Sequence, residues 1–431
     1  MVSVKKTRPA KGISQQRIAV IGGGVCGLTT TLRLAENGFE VELFEAAPKP
    51  GGRTRSFLDK KTGEWCDNGP HLLNGAYIAT EKLLADCHAS NHVTWQSSLK
   101  LSLWDQQRQY FSLGPSTMLP FPLALLLAVK SMPGHGWNSA LAMLRFNLAV
   151  KSKQCSDRCI ASLLKDCKAP DAFIRDMIGP ICLGAMNEST ETADAKTFGR
   201  VLSESFASQR CARLGWFNAP LQQALIEPLV QQAKHSGAII HTRHRVQSLQ
   251  SFDDKVMLDG NRFDACVLAL PAYASNRLLG QDGECETRAI INIHLWYPNH
   301  PGLPEPFIGG IGTQGQWFFD ISSQMRQISP SHRHLCAVIS AVEAEVDHDK
   351  LLEQIHREFS CLCKTNCSPS HTRIVHEKRA TVLVRPRDMK PDTKRIINAS
   401  ESPVPGELPA TIEFAVRRGE KAALDIIKSR K

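Results

Sequence analysis

The sequence predicts an α/β fold: a Rossmann-like domain joined to a second domain of helices and a mixed sheet. Three observations predict it. A short β-branched run, Arg17–Ile21, is followed by Gly22, Gly24 and Gly27 in G-x-G-x-x-G spacing. Residues 93–209 carry apolar positions mainly at helical spacing. Residues 286–371 alternate in short strands. A chain of 431 residues with 42% hydrophobic content has room for two or three domains with sizeable cores.

The N-terminal unit justifies its elements one by one. Arg17–Ile21 is the first strand. Leu28, Leu32 and Leu34 recur near helical spacing, Asn37-Gly38 ends the helix, and Val41–Phe44 alternates into a second strand that ends at Glu45. Gly22 permits a sharp turn, Gly24 lets the backbone approach a pyrophosphate, and Gly27 lets the helix pack closely on the strand. The helix N-terminus then offers unpaired N–H groups to phosphates. Glu45, 23 positions after Gly22, is placed to accept hydrogen bonds from a ribose. This order predicts dinucleotide binding. A second glycine turn with a cation, Gly51-Gly52-Arg53, followed by Thr54, suits FAD, whose flavin end extends beyond the first turn; NAD does not need it.

Composition excludes several classes. The net charge is +10, and residues 1–13 form a basic tail. Aromatic content is 6%, with no zinc-finger or RNA-recognition signature, so nucleic acid is not an expected partner. The longest apolar run, Leu119–Val129, stops at Lys130, short of the ~20 residues a spanning helix needs. That run beside the basic excess suits peripheral contact with an anionic membrane. The 14 cysteines are scattered, which fits a reduced, cytoplasmic setting, on the inner face of the membrane. No metal is expected. His235, His241 and His244 lie on a polar stretch without an evident carboxylate partner, and Cys361, Cys363, Cys367 and His371 lack a second C-x-x-C.

Further along, the residues resemble the two-dinucleotide-domain flavoproteins, and within them the squalene-associated FAD-dependent desaturases, or hydroxysqualene dehydroxylases. Asp67, Asn68, Gly69, His71, Leu72, Leu73 and Gly75 match a hallmark run of that family; Pro70 replaces a glutamine, as in phytoene desaturases. Cys182, Asn187 and Phe198, the stretch Gln316-Trp317-Phe318-Phe319-Asp320 and the run from Glu377 also match. The resemblance implies that Gly52, Arg53 and Thr54 approach the pyrophosphate and that the Val246 backbone, near an expected strand, contacts the adenine. His71 lies beside the flavin ring, either as a proton donor or as a structural histidine. A helix entered through Pro409, with Thr411 and Ile412 at its start, points its positive end at the flavin. FAD-binding residues 14–92, 210–285 and 372–431 would then enclose substrate-side residues 93–209 and 286–371.

Two departures mark the C-terminal segment. Asn398–Pro403 lacks the family's Gly-Asp, and Phe414 stands where the family has glycine after Ile-Glu. Glu401 or Ser402 is the expected replacement for the aspartate. The implied chemistry is reductive removal of the allylic hydroxyl of hydroxysqualene to give squalene, an isoprenoid substrate, with an unidentified reductant. Oxidative use of FAD by a phytoene-type desaturase or amine oxidase, and a non-catalytic relic of the fold, stay open as alternatives.

Overall fold

The computed structural model describes residues 16–152, 155–281, 285–298, 301–325, 332–342, 345–385, 395–400 and 403–429. Within them, a five-stranded parallel sheet runs in the order Ile239–His241, Glu40–Phe44, Arg17–Ile21, Ala265–Leu268, Ile396–Asn398. Ile21 pairs with both Phe44 and Leu268, so the first glycine turn leaves the sheet at its carboxyl edge. That edge is where open α/β sheets bind ligands. The helix Val25–Glu36 buries nine of its twelve residues against this sheet and the C-terminal helix Ile412–Ser429. The two helices approach closely at Gly419, where a Cβ would lie 2.4 Å from Cys26 O and where Thr30 Oγ1 donates to Gly419 O at 3.1 Å.

A seven-stranded mixed sheet forms the second layer. Its order is His371–Val382, Thr287–Tyr297, Arg333–Val342, Trp317–Asp320, Phe307–Ile311, Leu101–Asp105, Gln109–Leu113. All neighbours are antiparallel except Phe307–Ile311 with Leu101–Asp105. The expected boundary at residue 372 falls inside the first of these strands. The strand pairs along most of its length with Thr287–Tyr297, so the backbone of the Glu377 run belongs to this sheet.

Three local differences have physical causes. Residues 101–113 form a hairpin ahead of the first helix of that region, Phe121–Ser131, because Leu101, Leu103, Phe111 and Leu113 alternate into one core. Val246 lies in irregular chain, since Asp259 Oδ1 accepts from Gln247 N (2.9 Å) and Ser248 N (2.8 Å), and the strand begins only at Leu249. The C-terminal helix starts at Ile412, with Phe414 N donating to Thr411 Oγ1 at 3.2 Å, so Pro409 precedes it by a few residues. The basic tail and the candidates Glu401 and Ser402 lie outside the described residues.

Candidate functional site

The first glycine turn is sterically fixed. Gly22 has φ 110°, and a Cβ there would lie 2.4 Å from Ala269 O. At Gly27 a Cβ would lie 1.9 Å from Gly22 O, well inside contact distance. Gly24 differs: no atom lies within 4 Å of where its Cβ would be. Gly24 is also the N-cap of Val25–Glu36, and no side chain caps that helix. The space beside Gly24 therefore opens at the start of the helix, where an anion would meet the positive end of the helix dipole.

The second turn docks on the first. Gly51 N donates to Gly23 O at 2.8 Å, and a Cβ on Gly52 would lie 3.4 Å from Gly24 Cα. Thr54 is buried and closes this turn through its Oγ1 to Gly51 O, 2.7 Å. Glu45 braces both segments: Oε2 accepts from Gly23 N and Oε1 from Ala47 N, each at 2.7 Å. A carboxylate has about four lone-pair sites, so acceptor capacity remains for a sugar hydroxyl. The chain at 241–246 runs alongside, with Glu45 N donating to His241 O and His244 N to Glu45 O, and this brings Val246 to the same edge.

From the second turn a cavity of about 350 Å³ leads into the mixed-sheet half. Its polar end holds Arg53, Asn68, Gly69, His71, Thr411 and Ile412. Its far wall is apolar: Leu72, Leu99, Leu101, Leu113, Ile181, Trp317 and Phe319. Sequence reasoning gave no role to Asn292 or Glu377, which also line the polar end. Asn292 lies on the strand Thr287–Tyr297 and donates through Nδ2 to Asn68 O at 2.8 Å; Asn68 Nδ2 donates to Glu377 at 3.3 Å. The Asn68 and Asn292 Oδ1 atoms are buried without a partner, as is Trp317 Nε1. Orphaned acceptors are costly, so these carbonyls ask for a donor brought by a ligand or water. An asparagine in the middle of a largely apolar strand, AIINIHLW, was the available sequence signal.

His71 is hydrogen-bonded to the backbone of its own loop. Its Nδ1 lies 2.7 Å from Gly69 O, and because a carbonyl can only accept, Nδ1 carries the proton. Burial lowers its pKa below the ordinary histidine value, and the nearby Arg53 cation lowers it further. Arg53 donates to Ala380 O at 2.6 Å, which places its guanidinium at the cavity rather than within the first turn.

At the C-terminal end, Glu413 is fully buried and organises the helix junction. Its carboxylate accepts from Ala79 N, Thr80 N and Thr80 Oγ1 at 2.7–3.1 Å, and from Arg417 Nε at 2.7 Å. Thr411 and Ile412 line the cavity, whereas the described lining does not include Phe414, whose ring packs beside Arg418. Asn398 is the last residue of its strand, and its side chain accepts from Ser400 N at 3.1 Å.

His241 and His244 are ring neighbours at 6.2 Å, both against Phe44, but among the described residues the histidines and cysteines singled out in the sequence form no ligand cluster. Carboxylate partners do exist: His241 meets Glu42 at 2.8 Å and His244 meets Asp259 at 3.2 Å, one each. A different buried group, Cys66, His294 and His334, lies within 4.8 Å. There His294 Nδ1 and His334 Nε2 already pair with each other at 2.9 Å, and burial raises the Cys66 thiol and lowers both histidines.

Fold and site together define an α/β flavoprotein of the amine oxidase type, with a parallel dinucleotide sheet and a mixed substrate-side sheet. The model of the family described as flavin containing amine oxidoreductase matches residues 25–379, and the chain belongs to that family. It is an FAD-dependent oxidoreductase on that ground. Hydroxysqualene dehydroxylase of Rhodopseudomonas palustris is 28% identical over 435 residues, covering 94% of this chain and 97% of that protein. The enzyme of the same name from Zymomonas mobilis is 24% identical, covering 94% and 97%. Among solved structures, an oxidoreductase from Methanosarcina mazei superposes with a TM-score of 0.72 at 15% identity, covering 94% of this chain and 99% of that one. Among the described residues, no helix is long and apolar enough to cross a membrane.

Proposed function

We propose that the chain binds FAD non-covalently across its two glycine turns and removes the allylic hydroxyl of hydroxysqualene to give squalene. The single observation that carries this reading is the cavity. Its polar end lies against Arg53 and the start of the C-terminal helix, and it continues into a wall of leucines and aromatics suited to an isoprenoid chain. In this reading Gly22, Gly24 and Gly27 cradle the pyrophosphate, Gly52, Arg53 and Thr54 shape its second side, Glu45 holds the ribose, and Val246 borders the adenine. The N-terminus of Ile412–Ser429, with Thr411, favours negative charge at the flavin end. Among the described residues, 16–92, 210–281 and 395–429 belong to the FAD half in this reading, with the strand His371–Val382 part of the substrate-side sheet.

When bound and reduced, FAD supplies the hydride. The chain must do the rest. The hydroxyl leaves as water, which takes one proton, and the apolar wall must exclude bulk water from the allylic carbon. His71 stands at the boundary between polar and apolar lining, with its Nε2 free of the Gly69 contact. Only its protonated form can act as the acid, so its lowered pKa sets the sign. Turnover carried by His71 declines as pH rises through a value below the usual ~6.5. The wider reading includes peripheral contact with an anionic membrane at the cytoplasmic face, and an electron donor that reduces the flavin. The test is anaerobic mixing of FAD-loaded, chemically reduced protein with hydroxysqualene. Squalene formed in step with flavin reoxidation supports the assignment; flavin that stays reduced, with hydroxysqualene recovered intact, overturns it.

A further inference from the structure

The helices Phe121–Ser131 and Trp137–Lys151 pack on one another, yet each leaves large apolar side chains in solvent. Trp137, Leu141, Leu144 and Leu148 are spaced by four, three and four residues, so they share one face of the second helix. Trp137 is 53% exposed and Leu148 69%. Met118, 92% exposed, and Leu123 are further exposed apolar side chains, on the approach to the first helix and on the helix itself. An apolar stripe along one helix face marks an interaction site rather than ordinary surface scatter.

Charge selects the partner. No aspartate or glutamate occurs between Asp105 and Asp157, whereas Lys130, Arg145 and Lys151 lie on the two helices. Lys130 Nζ stands 4.4 Å over the Trp137 ring, which puts a cation at the edge of the apolar stripe. Apolar residues on one face with basic residues beside them and no acid suit the interface of a bilayer containing anionic lipid. A protein partner matched to the same stripe has no such need for an acid-free border.

The inner side of the same helices packs on the core that borders the cavity. Phe121, Leu125 and Ala128 pack against the core that contains Leu99, Leu101 and Leu113, all three of which line its apolar wall. We propose that this helix pair is the membrane-docking face, lying half-sunk in an anionic leaflet, so that a water-insoluble substrate passes from lipid to cavity beneath Phe121–Ser131. The passage of substrate rests on the isoprenoid reading above; the docking face does not.

The test measures binding of full-length, FAD-loaded protein to vesicles of phosphatidylcholine alone or with about a third phosphatidylglycerol. The expected result is binding to the anionic vesicles at least about tenfold tighter at low salt, and a marked loss at about 1 M NaCl, where screening is short-ranged. The double variant Leu144→Glu, Leu148→Glu changes exposed positions, so the flavin spectrum and melting temperature should hold while anionic-vesicle binding falls at least about tenfold. A second variant, Lys130→Glu with Lys151→Glu, should lose the preference for anionic lipid. Unchanged vesicle binding by the leucine variant overturns the proposal, as does wild-type protein that ignores anionic vesicles. Wild-type dimers that the leucine variant splits, without vesicle binding, assign the face to a second copy instead. Vesicle binding with no turnover of hydroxysqualene keeps the docking face and removes only the substrate reading.

Discussion

The first glycine turn and the C-terminal helix entry both border the candidate site, but they are built on different logic. At the first turn, backbone meets backbone. Gly22 and Gly27 are held by carbonyl oxygens closer than any Cβ tolerates, and the pattern is local in sequence. At the helix entry, side chains do the holding: Glu413 reaches residues more than 330 positions away at Ala79 and Thr80. Backbone packing admits few substitutions and therefore leaves a motif. A side-chain junction can be rebuilt with different residues, which is how Phe414 and the altered Asn398–Pro403 segment coexist with the same fold.

That contrast can be broken from either side. The largest effect is expected for Gly27→Ala, whose Cβ collides with Gly22 O; the helix must shift, costing at least about 3 kcal/mol and the bound flavin together. Gly24→Val should behave oppositely, because the space around Gly24 is open. Its melting temperature should hold while FAD affinity falls by about two orders of magnitude, as the side chain occupies the anion's approach. Equal destabilisation by both variants, read by thermal melts, would erase the distinction between packing glycine and ligand glycine.

Glu413→Ala removes the carboxylate that three donors of the helix Ile78–Asp86 and Arg417 share. Buried donors left unpaired cost about 1–3 kcal/mol, so a loss of about that size is expected in denaturant melts, accompanied by weaker flavin retention. The smallest effect on flavin binding belongs to Phe414→Gly. Because Phe414 does not line the described cavity, restoring the family residue should change FAD affinity less than about threefold, while loss of its buried ring costs about 3–5 kcal/mol of stability. A large gain in affinity would mean that Phe414 obstructs the cofactor.

A pH experiment compares the substrate-side core with both. Burial lowers His294 to about 4, so the folded state binds fewer protons than the unfolded chain between pH 4 and the ordinary ~6.5. Its contribution to stability therefore grows as pH rises through that window and disappears below it. Asp67, whose carboxyl burial pushes up to about 6, has the opposite sign: its folded state holds a proton longer, so it favours the fold as pH falls from 6 towards the ordinary ~3.9. The two slopes partly cancel in the wild type. His294→Gln removes one of the buried histidines with that slope, so stability should rise less steeply between pH 5 and pH 7 than in the wild type, as read by denaturant melts at the two pH values.

What was legible in the sequence follows the same division. The strand–turn–helix–strand of residues 17–45 could be placed because its glycine spacing and apolar periodicity are local, with Gly27 packed on Gly22 O, even though Gly22 itself is held by the distant Ala269 O. The match at Asp67–Gly75 located one wall of the cavity. Asn292 and Glu377 could not be given roles, since their positions depend on pairing between strands more than 200 residues from Asn68. The hairpin 101–113 was read as helical territory because the apolar runs after it dominate the region. The carboxylate partner of His241 comes from a neighbouring strand and that of His244 from a turn 15 residues on, which spacing alone does not reveal.

The measurement closest to the central claim is an equilibrium titration of flavin-stripped protein with FAD, followed by acid precipitation. Joined glycine turns with an open Gly24 and an uncapped helix N-terminus predict saturable uptake of one FAD per chain, a perturbed flavin spectrum, and full release of the yellow colour into the acid supernatant. A protein that takes up no FAD, or a pellet that keeps its colour through a covalent bond, would contradict the account.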